Sequence, residues 1–246
     1  MRQSGFFMLS LLVGSIGCLA VFAQTQRAAA TVVYDGARLI IGDTTAVIES
    51  GALVVQDGKI TAVGRSGSLK VPAGATRVDL TGKTVMPTMN NSHLHIGYEA
   101  YTSWGAEHYG PANIVDHLQR EAFYGVGTVM SAGDQPTDAA FKFQQDQRAG
   151  KFPPAARLFF TAGMAPPGAG PDSVLIKGTT ALKAVYEIET PEQARAAVQT
   201  IADRKFPGIK IWVDDRDAKR GKMKKMPPEV FTTIIEEAHK HGILVH

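Results

Sequence analysis

At 246 residues, with 44% hydrophobic and 20% charged residues, the chain carries enough apolar material for one large or two small folded domains and is not a disordered segment. Its formal net charge of +3, without a basic stripe interleaved by aromatics, excludes nucleic acid as an expected partner. No internal repeat of solenoid period is present.

The first predicted element concerns targeting. Arg2 precedes an uncharged run from Phe6 to Ala23, and Val21-Phe22-Ala23 before Gln24 resembles a small-residue cleavage site. Residues 1–23 therefore read as a secretory signal peptide. The expected location is periplasmic or extracellular, with membrane contact only through this segment if it stays uncleaved. Retention as an anchor is an alternative, because the run approaches bilayer-spanning length. Lipid attachment at Cys18 is another, although Ser15 stands where such signals usually carry an aliphatic residue. Cys18 is the single cysteine, so a chain cleaved after residue 23 has no disulfide and no thiolate chemistry.

From Thr31 to Lys83 the pattern is of short strands rich in β-branched residues: 31–34, 38–41, 51–55 and 59–63. Asp35-Gly36 and Asp57-Gly58 are hairpin-turn signals. Residues 31–83 are predicted to form a small β-sandwich domain without chemistry of its own.

Past residue 84 strand and helix alternate. The predicted helices are 112–123, 137–149, 190–204 and 227–241. The third opens on the capping box Thr190-Pro-Glu-Gln193. The predicted strands are the one that carries His93 and His95, then 127–133, 157–162 and 208–213, with 243–246 starting a fifth. Alternation of this kind calls for an α/β fold with a parallel sheet. Reactive residues at strand ends point to a TIM-type (β/α)8 barrel. A doubly wound sheet is the runner-up but lacks a Gly-rich phosphate loop after its first strand. With four units and the start of a fifth, 84–246 reads as the first, incomplete part of such a barrel.

The chemistry concentrates first in Thr84-Val-Met-Pro-Thr-Met-Asn-Asn-Ser-His-Leu-His-Ile-Gly-Tyr98. Pro87 rules out a helix interior, and in a strand His93 and His95 point the same way. Two imidazoles on one face are half of a site for zinc or a similar ion. This stretch, with Gly51-Ala-Leu-Val-Val-Gln-Asp-Gly-Lys-Ile-Thr-Ala-Val-Gly64 and Val71 to Pro87 before it, resembles the entrance to the amidohydrolase superfamily, nearest to relatives of imidazolonepropionase and Xaa-Pro dipeptidase. That family usually reads Pro-Gly-x-x-Asp-x-His-x-His. Here Thr88 and Asn91 replace the Gly and the Asp. Alternation places Asn91 on the histidines' face, where an amide would orient them without charge.

Lys210 is the second anchor, between Ile209 and Ile211 in a strand apolar on both sides. Burial there favours the uncharged amine, which reacts with carbon dioxide to give a carbamate with two ligand oxygens. The resemblance implies this role: superfamily members carry a carboxylated lysine at this strand that bridges two metals. The alternative is a lysine reaching solvent or pairing with Asp214 or Asp215. His246 is a further candidate ligand, although the family's counterpart falls two residues later. The resemblance also implies later ligands and a proton-shuttling aspartate, so no catalytic residue is assigned within the 246 residues. Tyr98, Tyr101, Trp104, His108 and Tyr109 follow the first strand as a candidate pocket wall or as ordinary loop packing. Residues 164–172 read as a lid or pocket edge, and Lys219, Arg220, Lys222, Lys224 and Lys225 as a solvated loop or a carboxylate attractor. His117, His239 and His241 read as helix-surface residues.

Taken together, the expectation is an exported hydrolase using one or two divalent ions, zinc foremost. It would cleave a C–N bond in a small amide, a cyclic amide or a short peptide. The alternatives are a catalytically silent chain and the same site acting on a lactone or phosphoester.

Overall fold

A computed structural model describes residues 31–43, 46–171 and 183–246. The signal-peptide, anchor and Cys18 readings lie outside these residues, as does Asp172. Among the described residues no helix is long and apolar enough to cross a membrane. They divide into two compact units, residues 31–87 and 88–246.

The first unit is a single mixed sheet. Its strands are β1 (Thr31–Leu39), β2 (Ile48–Gln56), β3 (Lys59–Arg65), β4 (Thr76–Asp79) and β5 (Thr84–Val85). The order is β3-β2-β1-β4, with β5 also pairing β1, and both β4 and β5 run parallel to β1. All five strands thus join one sheet, in place of the expected two-layer sandwich. Asp57-Gly58 is the expected tight hairpin turn: both residues have positive φ, and Gln56 pairs with Lys59 on either side. Asp35-Gly36 is not a turn. The strand runs through it with a register shift, and Gly36 takes φ +84° where a Cβ would lie 2.6 Å from Thr81 Oγ1.

In the second unit the strands are β6 (Met89–Leu94), β7 (Val126–Ser131), β8 (Arg157–Phe160), β9 (Ala162–Ala165), β10 (Val185–Glu187), β11 (Gly208–Ile211), the hairpin β12 (Arg216–Asp217) and β13 (Gly221–Lys222), and β14 (Leu244–Val245). The helices are α1 (Pro111–Phe123), α2 (Thr137–Arg148), α3 (Pro191–Asp203) and α4 (Pro228–Lys240). The sequence pattern locates all four helices to within two residues, and α3 carries the full capping box from Thr190 and Gln193.

Apart from the β12–β13 hairpin, pairing is parallel. β6 pairs β7 and β7 pairs β8; β9 pairs β11 and β11 pairs β14. Residues 157–165 run through both sheets, broken only at Thr161, whose N–H donates to the Ser131 carbonyl on β7 at 3.1 Å. Chain order and spatial order agree except at β10, which pairs β9 on the edge opposite β11.

All four helices cover one face. Leu158 and Val129 pack with Ile114, Leu118 and Phe143, while Phe160, Ala162, Met164 and Ile209 pack with Val198, Ile201, Val230 and Ile234. A doubly wound sheet carries helices on both faces; here the four helices lie on one. On the helix-free face the alternate residues include Phe159 (36% exposed), Gly163, Lys210, Trp212, Leu244 (63% exposed) and His246.

The two faces should respond differently to truncation. Phe160→Ala, which empties a fully buried position packed against Phe141 and Phe206, is expected to cost about 3–5 kcal/mol by urea denaturation. Phe159→Ala, one residue away on the open face, is expected to cost less than about 1 kcal/mol in the same assay.

Candidate metal centre

β6 delivers the histidine pair. His93 and His95 have ring centroids 5.6 Å apart, near-perpendicular at 75°. The two rings lie together although the pairing with β7 shifts register between Asn91 and Leu94, an interval that contains His93. Asn91 turns toward α1 and donates from Nδ2 to Glu121 Oε1 at 3.2 Å. Asn91 still accepts the His93 backbone N–H at 3.3 Å but is not on the face of the rings. The expected orienting role falls elsewhere.

It falls to Asp134, which sequence reasoning passed over. Asp134 is fully buried, and its Oδ2 accepts from His95 Nδ1 at 2.9 Å. Ser131 Oγ and Gln135 Nε2 donate to its other oxygen at 2.9 and 3.2 Å. Tyr98 OH donates to its backbone carbonyl. With the proton on Nδ1 directed at this carboxylate, the lone pair of neutral His95 resides on Nε2, the nitrogen that can ligate. The only available sequence signal was a Gly-Asp step at the end of a strand.

Lys210 reaches the same region. A Cβ at Gly133, the residue before Asp134, would lie 2.7 Å from Lys210 Cβ and 2.9 Å from its Cγ. Burial, then the Lys210 ammonium and the neighbouring His95 and His246, push His93 below the usual histidine range, against the opposing pull of Asp134. A neutral imidazole is the ligating form, so this favours metal capture. His246 lies beside Lys210: Gly208 pairs Leu244 and Ile209 pairs Val245, which sets residues 210 and 246 side by side on one face. Its Nε2 sits 3.2 Å from where a Gly208 Cβ would stand.

The donor set suits a divalent ion such as zinc: two imidazoles, one with its tautomer fixed by a carboxylate, and a lysine whose carbamate would supply oxygens. Among the described residues no group of three or more His, Cys, Asp or Glu side chains converges on one point. The pair is thus the seed of a site, and Lys210, which influences His93 electrostatically, is a candidate to extend it.

The expected aromatic wall divides. Tyr98 is fully buried and supports Asp134 rather than lining a pocket, and burial raises its phenol far above the ordinary range. Tyr109 likewise donates inward, to Gln135 Oε1 at 2.9 Å. Tyr101 is 91% exposed. His108 bonds Ser103 Oγ at 2.8 Å. Trp104 lines a cavity of about 480 Å³ together with His95, Glu99, His117 and Arg120.

His117, expected at the surface, is buried. Its Nδ1 accepts the Gly97 N–H at 3.2 Å, and its Nε2 bonds the Glu99 carbonyl at 3.1 Å. One turn earlier Asn113 donates to the Gly97 and Glu99 carbonyls at 2.9 and 2.8 Å. The i, i+4 pair on α1 thus pins the chain that leaves the histidine strand. Arg220 is also structural, donating to the Gly168 and Pro171 carbonyls at 3.1 and 2.6 Å and to Asp217 at 3.2 Å. It ties the loop after β9 to the β12–β13 hairpin, and Lys224 pairs with Glu189.

No protein-family model matches the chain. Over 223 residues, 87% of this chain and 48% of the relative, it is 24% identical to an enamidase from Eubacterium barkeri. Phenylurea hydrolase B superposes with a TM-score of 0.69 at 22% identity, over 88% of this chain and 55% of that one. Molinate hydrolase gives 0.67 at 18% identity, over 88% and 53%. The structural likenesses carry the fold, and the chain spans about half the length of each of these proteins.

Asp134→Asn keeps the shape but removes the charge that fixes the His95 tautomer. It is expected to weaken zinc binding about 10–100-fold, read by competition with a chromophoric chelator. A pH dependence follows from His117. Burial, then Arg120, holds it below the usual histidine range. The unfolded chain therefore binds the proton first, and stability is full above about pH 6.5 and falls as pH drops toward the lowered folded value. Urea midpoints at pH 7.5 and 5 should show that fall, and His117→Gln should reduce it.

Proposed function

We propose, for a chain that corresponds in sequence and fold to the N-terminal portion of amidohydrolase-superfamily proteins, that it belongs to a metal-dependent hydrolase of C–N bonds in small amides, cyclic amides or short peptides. The observation that supports the reading is the His93–His95 pair on the helix-free face, with Lys210 on the same face and near enough to lower the basicity of His93. Eight such strand–helix units close a TIM-type barrel, in which the ends of strands carry catalysis; the five strands here are read as the opening part of one.

Each residue has a stated task. His95 offers Nε2 because Asp134 takes its Nδ1 proton. Partial desolvation lowers the basicity of His93, which favours its ligating form. Lys210, as its carbamate, contributes oxygen ligands and offsets the charge of one or two ions. His246 stands beside it as a weaker candidate ligand. A divalent ion held by His93, His95 and Lys210 would supply an acidified water and a polarised carbonyl. Trp104, beside the cavity that reaches His95, is the aromatic placed to meet a small substrate. Export through residues 1–23 stays part of the proposal, with a periplasmic or extracellular setting.

A second reading is favoured by one fact: the His/Cys/Asp/Glu donors among the described residues do not by themselves form a three-ligand cluster. On that reading the chain binds one ion weakly and is catalytically silent.

The test joins zinc stoichiometry by mass spectrometry with a hydrolysis panel of an X-Pro dipeptide, an N-aryl amide, a cyclic amide, a lactone and a phosphoester. The main reading expects zinc to be retained and a C–N substrate to be turned over, with His93→Ala and His95→Ala each abolishing both. Zinc retention without hydrolysis selects the silent chain. Turnover of the lactone or phosphoester alone moves the reading to another bond class, and failure to bind zinc overturns it.

A further inference from the structure

The helix-free face holds an arrangement that the assignment of ligands does not explain. Lys210 and Trp212 stand two apart on the strand ending β11, so they share that face. The indole is inserted among three glycines from different segments. A Cβ at Gly133 would lie 2.8 Å from Trp212 Cη2, and one at Gly163 would lie 3.0 Å from Cζ3. A Cβ at Gly170 would touch Cδ2 and Cε3 at 3.8 Å. The Trp212 backbone N–H donates to the Met164 carbonyl at 3.1 Å. Both ends of this residue are therefore held, its backbone by β9 and its ring by a slot that any larger residue at 133 or 163 would fill.

The lysine stem runs along this slot. Its Cβ and Cγ lie against Gly133, and its Nζ stands 5.7 Å from the centre of the Trp212 ring. Gly133 is the residue before Asp134, which holds His95. One uninterrupted set of contacts thus runs from the His95 ring through Asp134 and the turn at Gly133 to the stem of Lys210 and the face of Trp212.

We infer that Trp212 is the positioning residue for Lys210. The indole forms one wall and the Gly133 turn the other, and between them the four-carbon stem is confined, which restricts the positions its terminal nitrogen can take. Lysine is otherwise the most freely rotating of ligand side chains, and a ligand held in place loses less freedom when an ion binds. Trp212 itself donates nothing to the ion. The inference rests on Lys210 being a ligand.

The experiment measures zinc affinity by chelator competition, and the visible spectrum of the cobalt-loaded form, for the full chain and for Trp212→Leu, Trp212→Phe and Lys210→Ala. Trp212→Leu is expected to weaken zinc binding about tenfold and to alter the cobalt bands. Trp212→Phe, which keeps a flat ring in the slot, is expected to recover most of both. A ring that merely fills space would shift the melting temperature and leave the spectrum alone, which overturns the inference. So does an unchanged affinity in both Trp212 variants where Lys210→Ala is weakened, and in that case the reading of the site stands. If Lys210→Ala binds zinc like the unaltered chain, the reading fails and takes the inference with it. Should Trp212→Leu not fold, the Trp104→Phe chain leaves Trp212 as the single indole of the original two. Its emission must then change in step with zinc uptake, and a flat titration overturns the inference.

Discussion

A fully buried carboxylate has to be surrounded by donors or not ionise at all, and Asp134 imposes that requirement on the second unit. Its partners come from three places: Ser131 at the end of β7, the adjacent Gln135, and His95 just past β6. To bring the carboxylate to them the chain must fold back sharply after β7, and it does so at Gly133 with φ +78°. That turn passes so close to β9 that a Cβ at Gly163 would stand 2.0 Å from the Gly133 carbonyl oxygen. Gly163 is the lateral neighbour of Lys210 in the β9–β11 register. The need to satisfy one carboxylate therefore fixes the histidine tautomer, the turn, a strand glycine and the bed on which the lysine lies.

The same requirement explains why this part of the site was hard to read from sequence. Lys210 and the His93–His95 pair stand out because strand alternation is a local rule, and a lysine or two imidazoles in an otherwise apolar strand breaks a visible pattern. Asp134 breaks no pattern. It follows Ala132-Gly133 as in any polar loop, and its burial is decided by Tyr98 and His95, 36 and 39 positions away. Asn91 was misassigned for a related reason. Its face is set by a bulge against β7, and a bulge is a property of the pairing partner as much as of the strand that carries it. The burial of His117 is hidden for the same reason, since its hydrogen-bond partners at Gly97 and Glu99 lie 20 and 18 positions away.

The architecture shows a similar division. Helix α3 was legible because its capping box and apolar spacing are written within 13 residues. The hairpin at Asp57-Gly58 was legible because two left-handed residues in succession leave few alternatives. The neighbouring Asp35-Gly36 has the same composition, yet its strand continues, because β1 is held on both sides by β2 and β4 and the glycine makes room for Thr81. Strand propensity likewise marked the strands of the first unit but held no information on whether they form one sheet or two.

What the second unit spends on its open face is informative about that face. Glycine inside a strand gives up conformational entropy and packs nothing, so a strand keeps one where another group must come close. On the helix-covered face the equivalent positions are filled by Leu158, Phe160, Met164 and Ile209, and the packing there is that of an ordinary core. On the other face Gly163 admits the Gly133 turn and the edge of Trp212, and Gly208 leaves the space that His246 Nε2 approaches. Nothing about sheet stability asks for these vacancies. They fall beside Lys210 and His246, on the face where the two imidazoles of β6 also point. An arrangement that trades strand packing for the placement of a carboxylate, an indole and a lysine has given priority to where those groups sit.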